Sequence, residues 1–276
     1  MEKISPKKSL GQNFLNSRTI AEKIVSLLGD ISKKAVVEIG PGMGVLTEIL
    51  LEANSELTLV EIDTRAIAYL NAKFERHIGN NLNIINSDIL KFDIKQFAES
   101  RNGEISIIGN IPYNISTEIF FLLFEHANYI DKAVLTVQRE VAKRIVAKPK
   151  SKDYGITTLA RAMTAEAKIA FDIAPGSFNP PPKVVSSVLV FDFNSELISR
   201  EKYFNMMKLV RAAFSTRRKI LKNALQPYFS SRALDINLFE KFCNERNIQY
   251  LKQRAEELSL ADFEKLLGEI ESFRAE

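Results

Sequence analysis

Val36-Val-Glu-Ile-Gly40-Pro-Gly42-Met-Gly44 decides the reading of this 276-residue chain. A short β-branched run gives way to closely spaced glycines and then to a helical pattern over 44–52, so the stretch reads as a buried strand, a tight turn and a helix. Glycines at such a turn let the backbone approach a ligand where a side chain would collide. The helix that follows presents unpaired N–H groups and the positive end of its dipole. A second strand ends at Glu61, about twenty residues beyond the glycines, where a carboxylate can accept both ribose hydroxyls of a nucleoside. A third ends in Asn86-Ser-Asp88, whose carboxylate can accept from an adenine amino group.

Three readings compete for this constellation. A dinucleotide site prefers Gly-x-Gly-x-x-Gly, and the chain carries the looser Gly-x-Gly-x-Gly. Glu-x-Gly-x-Gly-x-Gly is the pattern of S-adenosylmethionine methyltransferases, where no pyrophosphate has to be cradled. A plain structural turn is the third, and Glu61 and Asp88 at successive strand ends weigh against it.

Outward from the glycines, strands are expected over 35–39, 57–62, 82–86, 105–109, 133–138 and 184–193, with helices over 44–52, 64–74, 117–126 and 139–147. Regular alternation argues for βαβ units and a mostly parallel sheet, with ligands outside the carboxyl ends of its strands. After residue 194 the pattern turns helical, over 199–213, 216–225 and 238–247, and Ser259-Leu-Ala-Asp262 is a capping-box start for a last helix through Phe263, Leu266, Leu267 and Ile270. A domain boundary is expected at 194–199, giving domains 1–196 and 197–276.

The fourth strand runs into Gly109-Asn110-Ile111-Pro112-Tyr113. The exocyclic amine of a nucleobase is a poor nucleophile because its lone pair is delocalised into the ring. Accepting hydrogen bonds from its two N–H groups favours a more tetrahedral nitrogen, and the Asn110 side-chain carbonyl and Ile111 backbone carbonyl are candidate acceptors. Pro112 stiffens the turn, and Tyr113 offers a face on which an extruded base stacks. Phe178, on the proline-stiffened Gly176–Lys183 loop, is the candidate second face, with a core plug as the equal alternative. Leu10-Gly-Gln-Asn-Phe-Leu15 reads as either a lid or a helix cap.

Composition narrows the classes. Hydrophobic residues make up 46% and charged residues 26%, enough for a packed core. No apolar run reaches the roughly 18 residues of a membrane span, and the N-terminal lysines lead into Gly-Gln-Asn and not into an apolar signal core. One cysteine, Cys243, excludes an intrachain disulfide, and two histidines leave little scope for a metal cluster. A soluble, cytoplasmic, metal-independent protein is expected. The net charge of +4 is mild, but the basic residues cluster: six against one acid over 138–152, and five against none over 211–222. Each run alone is as easily a solvated helix face; two together point to a polyanionic partner.

Taken in order, Ser9-Leu-Gly-Gln-Asn-Phe-Leu15, Glu38-Ile-Gly-Pro-Gly42, Gly109-Asn-Ile-Pro-Tyr-Asn-Ile-Ser-Thr117, Phe178-Asn-Pro-Pro-Pro-Lys-Val184 and Arg211-Ala-Ala-Phe-Ser-Thr-Arg-Arg-Lys219 resemble the KsgA family of small-subunit ribosomal RNA adenine dimethyltransferases over essentially the whole chain. The resemblance implies a Rossmann-like α/β methyltransferase domain with a mostly parallel seven-stranded sheet, plus a small C-terminal all-helical domain that binds RNA. It implies methyl transfer from S-adenosylmethionine to the N6 amines of two adjacent adenosines in the 3′-terminal hairpin loop of 16S rRNA, within immature 30S subunits, with S-adenosylhomocysteine as product. By motif, Asn13, Leu15, Gly40, Glu61, Asp88 and Asn110 contact the cofactor. Asn110, Pro112, Tyr113 and Phe178 handle the target base, and Arg217, Arg218 and Lys219 contact RNA phosphates. A monomer is expected, since no coiled-coil pattern appears. Three alternatives stay open: an Erm-type methyltransferase of large-subunit rRNA, a ribosome-assembly factor that keeps the fold without catalysis, and a methyltransferase for small molecules or DNA, which the basic helical segment disfavours.

Overall fold

The computed structural model describes residues 5–7, 10–53, 56–101, 103–193 and 199–275. Seven strands form the main sheet: β2 (Ala35–Ile39), β3 (Glu56–Glu61), β4 (Leu82–Asn86), β5 (Ile105–Asn110), β6 (Ile130–Gln138), β7 (Ala165–Ile173) and β9 (Ser186–Phe193). Their spatial order is β4-β3-β2-β5-β6-β9-β7. All neighbours are parallel except β9, which runs antiparallel between β6 and β7. A two-residue strand, β1 (Phe14–Leu15), pairs separately with β8 (Phe178–Asn179).

Around the sheet lie α1 (Arg18–Ser26), α2 (Val45–Glu52), α3 (Thr64–Lys73), α4 (Ile94–Glu99), α5 (Ser116–Glu125) and α6 (Arg139–Ile145). Their starts are legible residue by residue: the side chains of Ser17, Asp63 and Asp93 accept from backbone N–H groups in the first turns of α1, α3 and α4. The central strands read as continuous apolar runs because both sheet faces are covered. On one face Phe120, Phe124 and Phe191 pack with ring centroids 5.7–6.2 Å apart. On the other, α1 and α2 cover β2 and β3 through Ile24, Leu28 and Leu50, all at most 2% exposed.

The strand order reverses between β2 and β5, with β3 and β4 laid outward on one side and β5 and β6 on the other. At that reversal the loops after β2 and β5 diverge and leave a crevice at the carboxyl ends, where ligands of open α/β sheets sit. The glycine turn after β2 and Asn110-Ile-Pro-Tyr113 after β5 both open onto it.

The described chain divides into two compact units, one of residues up to 143 with 165–193, the other of 144–164 with 199–275. The second is helical: α7 (Ile156–Thr164), α8 (Arg200–Ala213), α9 (Leu221–Ser230), α10 (Ile236–Glu245) and α11 (Leu260–Ala275). Its core stacks Phe214 on Phe263 at 6.3 Å and sets Phe229 against Phe239 at 5.0 Å. The expected boundary at 196/197 falls outside the described residues. The helical unit also takes in 144–164, because α7 packs on α8 and α11. Among the described residues no helix is long and apolar enough to cross a membrane.

Three local expectations change. β7 was not expected: it is an edge strand carrying Glu166, Lys168 and Asp172, and it follows α7 with no glycine or proline between them. The β1–β8 pair is too short to leave a periodic signal. The helix expected over 216–225 begins only at Leu221, so Arg217, Arg218 and Lys219 lie in the turn between α8 and α9.

Candidate functional site

Glycines 40, 42 and 44 all hold positive φ, at 62°, 55° and 71°. Each does so for a different reason. A Cβ on Gly44 would come within 2.8 Å of Leu70 and Phe74 side chains, and one on Gly42 within 2.7 Å of the Phe14 ring. A Cβ on Gly40 would meet nothing within 4 Å, since that position faces the crevice. The Gly40 N–H donates to the Val60 carbonyl at 3.0 Å, tying the end of β2 to the end of β3.

Glu61 is the other half of that tie. Its carboxylate is 5% exposed and accepts from the N–H groups of Ile62 and Asp63, each at 2.9 Å, and of Gly42 at 3.3 Å. Burial raises its pKa above the ordinary range, while the three backbone N–H groups pull it back toward ionisation. A carboxylate offers about four acceptor positions, so room is left for a ligand hydroxyl. Asp88 closes β4's end of the crevice and caps the following turn by accepting from the Leu90 N–H at 3.0 Å.

The Asn110 amide is oriented by its neighbour. Nδ2 donates to the Asn13 carbonyl at 2.7 Å, which leaves Oδ1, with no partner among the described residues, as the acceptor. Tyr113 lines the same crevice, its hydroxyl 2.6 Å from the buried Ser186 hydroxyl, and burial holds its phenol above the ordinary pKa.

The segment 10–16 lies across this crevice as a strap. Asn13 is bonded to Asn110, Phe14 rests on Gly42, β1 pairs with β8, and the Asn16 N–H donates to the Ser177 carbonyl at 3.0 Å. Gln12 Nε2 donates to Asp63 Oδ2 at 3.1 Å, and Asp63 is in turn gripped by Arg65 at 2.6 and 3.0 Å. The Arg65 guanidinium, followed by Gln12, holds the Asp63 carboxyl down at about 2 against its burial. Arg65 also donates to the Ser5 carbonyl at 3.2 Å.

The structure thus brings Asn13, Gly40, Glu61, Asp88, Asn110, Pro112 and Tyr113 around one cavity. Leu15, 6% exposed, faces a smaller adjoining pocket with Gly40 and Asn110. Phe178 is 2% exposed, sits in the core beside its pairing partner Leu15 and does not line the cavity. Arg217, Arg218 and Lys219 belong to the helical unit. Sequence reasoning passed over Gln12, Asp63, Ile62 and Ile89. Ile62, apolar yet 52% exposed on the cavity wall directly after Glu61, carried the clearest missed signal.

Glu38 of the glycine motif is fully buried on β2, and its carboxyl accepts from the Thr47 hydroxyl at 2.7 Å. Burial pushes its pKa up to about 8, the Thr47 bond opposing and Glu61 adding to the rise.

Acceptors at the carboxyl ends of β4, β3 and β5, flanking the glycine turn after β2 in a seven-stranded sheet of this order, define the Rossmann-like methyltransferase class. Comparison with known proteins narrows it. The profile of the family described as "Ribosomal RNA adenine dimethylase" matches residues 4–264, and the chain belongs to that family. The Ribosomal RNA small subunit methyltransferase A of Parabacteroides distasonis is 38% identical over 268 residues, 96% of this chain and 94% of the relative. That of Cytophaga hutchinsonii is 40% identical over 268 residues, 95% and 96% of the two chains. A dimethyladenosine transferase from Plasmodium falciparum shares the fold with a TM-score of 0.78 at 24% identity, covering 94% of this chain and 98% of that one. The 23S rRNA methyltransferase ErmE does so with a TM-score of 0.68 at 22% identity, covering 94% and 100%.

Two outcomes follow. Because native Glu38 keeps a proton that the unfolded carboxyl releases, stability falls as pH rises from the ordinary 4.5 toward about 8. Glu38→Gln keeps the acceptor for Thr47 and flattens that fall in urea titrations; a curve parallel to the unsubstituted protein's would mean Glu38 is ionised throughout. Asp63→Asn weakens the Arg65 and Gln12 grip, so backbone amides of 10–16 exchange at least about five-fold faster by mass spectrometry. Unchanged exchange would assign the strap's order to Asn110 and β8 alone.

Proposed function

We propose that this chain transfers methyl groups from S-adenosylmethionine to the N6 amines of two adjacent adenosines in the 3′-terminal hairpin loop of small-subunit rRNA, acting in the cytoplasm as a monomer on immature small subunits. The observation that carries the reading is the Asn110 amide, fixed through Asn13 with its carbonyl oxygen free at the crevice beside Tyr113. The family match over 4–264 and the small-subunit names of the relatives favour this substrate over large-subunit rRNA.

The residues fit the cofactor. Gly40 presents open space where any side chain would intrude, Glu61 retains acceptor capacity for ribose hydroxyls, and Asp88 lines the same cavity as the candidate acceptor for an adenine amino group. Ile62 and Ile89 supply apolar wall for a purine, and Asn13 with Leu15 forms the covering side. When bound, S-adenosylmethionine supplies an electrophilic methyl group on a sulfonium centre.

The chain's own work is positioning. Asn110 Oδ1 and the Ile111 carbonyl accept from the target amine, favouring a more tetrahedral nitrogen whose lone pair is less delocalised into the ring. Pro112 holds these two acceptors in register, and Tyr113, anchored through Ser186, stacks on the base. Phe178 supports the strap from the core through its pairing with Leu15 and presents no open face to the base. Domain roles follow: a cofactor-binding catalytic domain to residue 196, and an RNA-binding helical domain from 197, where Arg217, Arg218 and Lys219 contribute. A loop adenosine unstacks at small cost, which suits such a pocket.

Asn110→Ala is expected to lower transfer of labelled methyl to immature small subunits by at least about 100-fold, with binding of the particles retained in a co-sedimentation assay. Retained transfer would remove Asn110 from the chemistry. Particle binding lost together with transfer would favour a scaffold role for the site.

A further inference from the structure

The lysine run at 148–152 has no part in the chemistry above. Lys148, Lys150 and Lys152 are exposed, and none has an acidic partner among the described residues. In sequence they are far from Arg218 and Lys219, which are exposed and equally without acidic partners. The fold of the helical unit stitches the two segments together through Arg217. Its Nε donates to Glu256 Oε2 at 2.8 Å, and its Nη2 donates to the Lys152 carbonyl at 2.6 Å and the Tyr154 carbonyl at 3.4 Å. From the other side, the Lys150 N–H donates to the Glu256 carbonyl at 2.8 Å.

The lysine turn is held in a costly shape. Lys150 has φ of 68°, a region that disfavours any residue with a Cβ. The Ser151 N–H and hydroxyl both donate to the Lys148 carbonyl, at 3.2 and 2.7 Å, and complete the turn. Glycine would relax this position, yet a cation stands there. Nearby acids do little to offset the charge: Glu256 is taken up by Arg217, and Asp153 is half-buried. Two exposed turns carrying five cations suit a repeated phosphodiester better than a single phosphate.

We propose that Lys148, Lys150 and Lys152 join Arg218 and Lys219 in one surface for RNA phosphates, and that Arg217 is its strut and not a phosphate ligand. The proposal rests on the reading of the chain as an RNA-modifying enzyme. It separates Arg217 from its two neighbours in the basic run: a guanidinium already shared among a carboxylate and two carbonyls orders the surface, and the neighbouring cations make the contacts.

The test is the salt dependence of binding by the full chain to a synthetic RNA hairpin carrying the 3′-terminal small-subunit loop, read by fluorescence anisotropy. Thermal unfolding checks that each variant is folded. Each lost phosphate contact lowers the slope of log K against log salt by about 0.7–0.9. The triple variant Lys148→Ala, Lys150→Ala, Lys152→Ala is therefore expected to lower the slope by about 2, and Arg218→Ala with Lys219→Ala by about 1.5. Two further variants examine the strut. Arg217→Lys keeps the charge but loses the planar fork, and Glu256→Ala removes a negative charge. Both are expected to weaken binding, although charge alone predicts no change for the first and tighter binding for the second. An unaltered slope in the lysine variant overturns the joint surface, and tighter binding by Glu256→Ala overturns the strut. Failure of the unsubstituted protein to bind either the hairpin or immature small subunits overturns the rRNA reading itself, and is distinguished by being seen before any substitution.

Discussion

One buried carboxylate organises the site. Glu61 lies at the end of β3 with almost no access to water, and a charge there is tolerated only where N–H groups surround it. It finds them in the glycine turn after β2 and in its own following residues, so a single side chain locks two strand ends into one surface. That lock sets where Gly40 opens onto the crevice and where Asp63 begins α3. It also fixes where Phe14 has to lie against Gly42.

The strap depends on that surface in turn. Asp63 is ordered by the same turn that satisfies Glu61, and it passes the order on through Gln12 to Asn13, whose carbonyl holds the Asn110 amide. Cofactor-side and base-side residues are therefore not independent. The acceptor proposed for the target amine is oriented by the segment that lies across the crevice, so the order of the strap and the orientation of that acceptor are coupled.

Much of this was legible in the sequence. Glycines at 40, 42 and 44 marked the reversal point, and acids at 61 and 88 marked the strand ends, because backbone approach and strand termination leave local signatures. Ser259-Leu-Ala-Asp262 was legible for the same reason: its reciprocal bonds, at 2.9 and 3.2 Å, are local. What stayed hidden depends on long-range partners. β7 carries the charges of an edge strand and follows a helix without punctuation. The burial of Phe178 is set by pairing with Leu15, distant in sequence, and spacing could not choose between stacking face and core plug. Arg217 read as one member of a basic run, and only its bonds to Lys152, Tyr154 and Glu256 give it a different task.

What has to be measured is whether the crevice positions an adenine amine of small-subunit rRNA for methyl transfer. The most direct measurement is a mass-spectrometric map of methylated adenosines in rRNA from cells lacking this protein, before and after its restoration. N6,N6-dimethyladenosine is expected to disappear from two adjacent positions in the 3′-terminal small-subunit hairpin and to return with the protein, if the proposed reading holds. Loss confined to large-subunit rRNA, or no change in any adenosine, would contradict it.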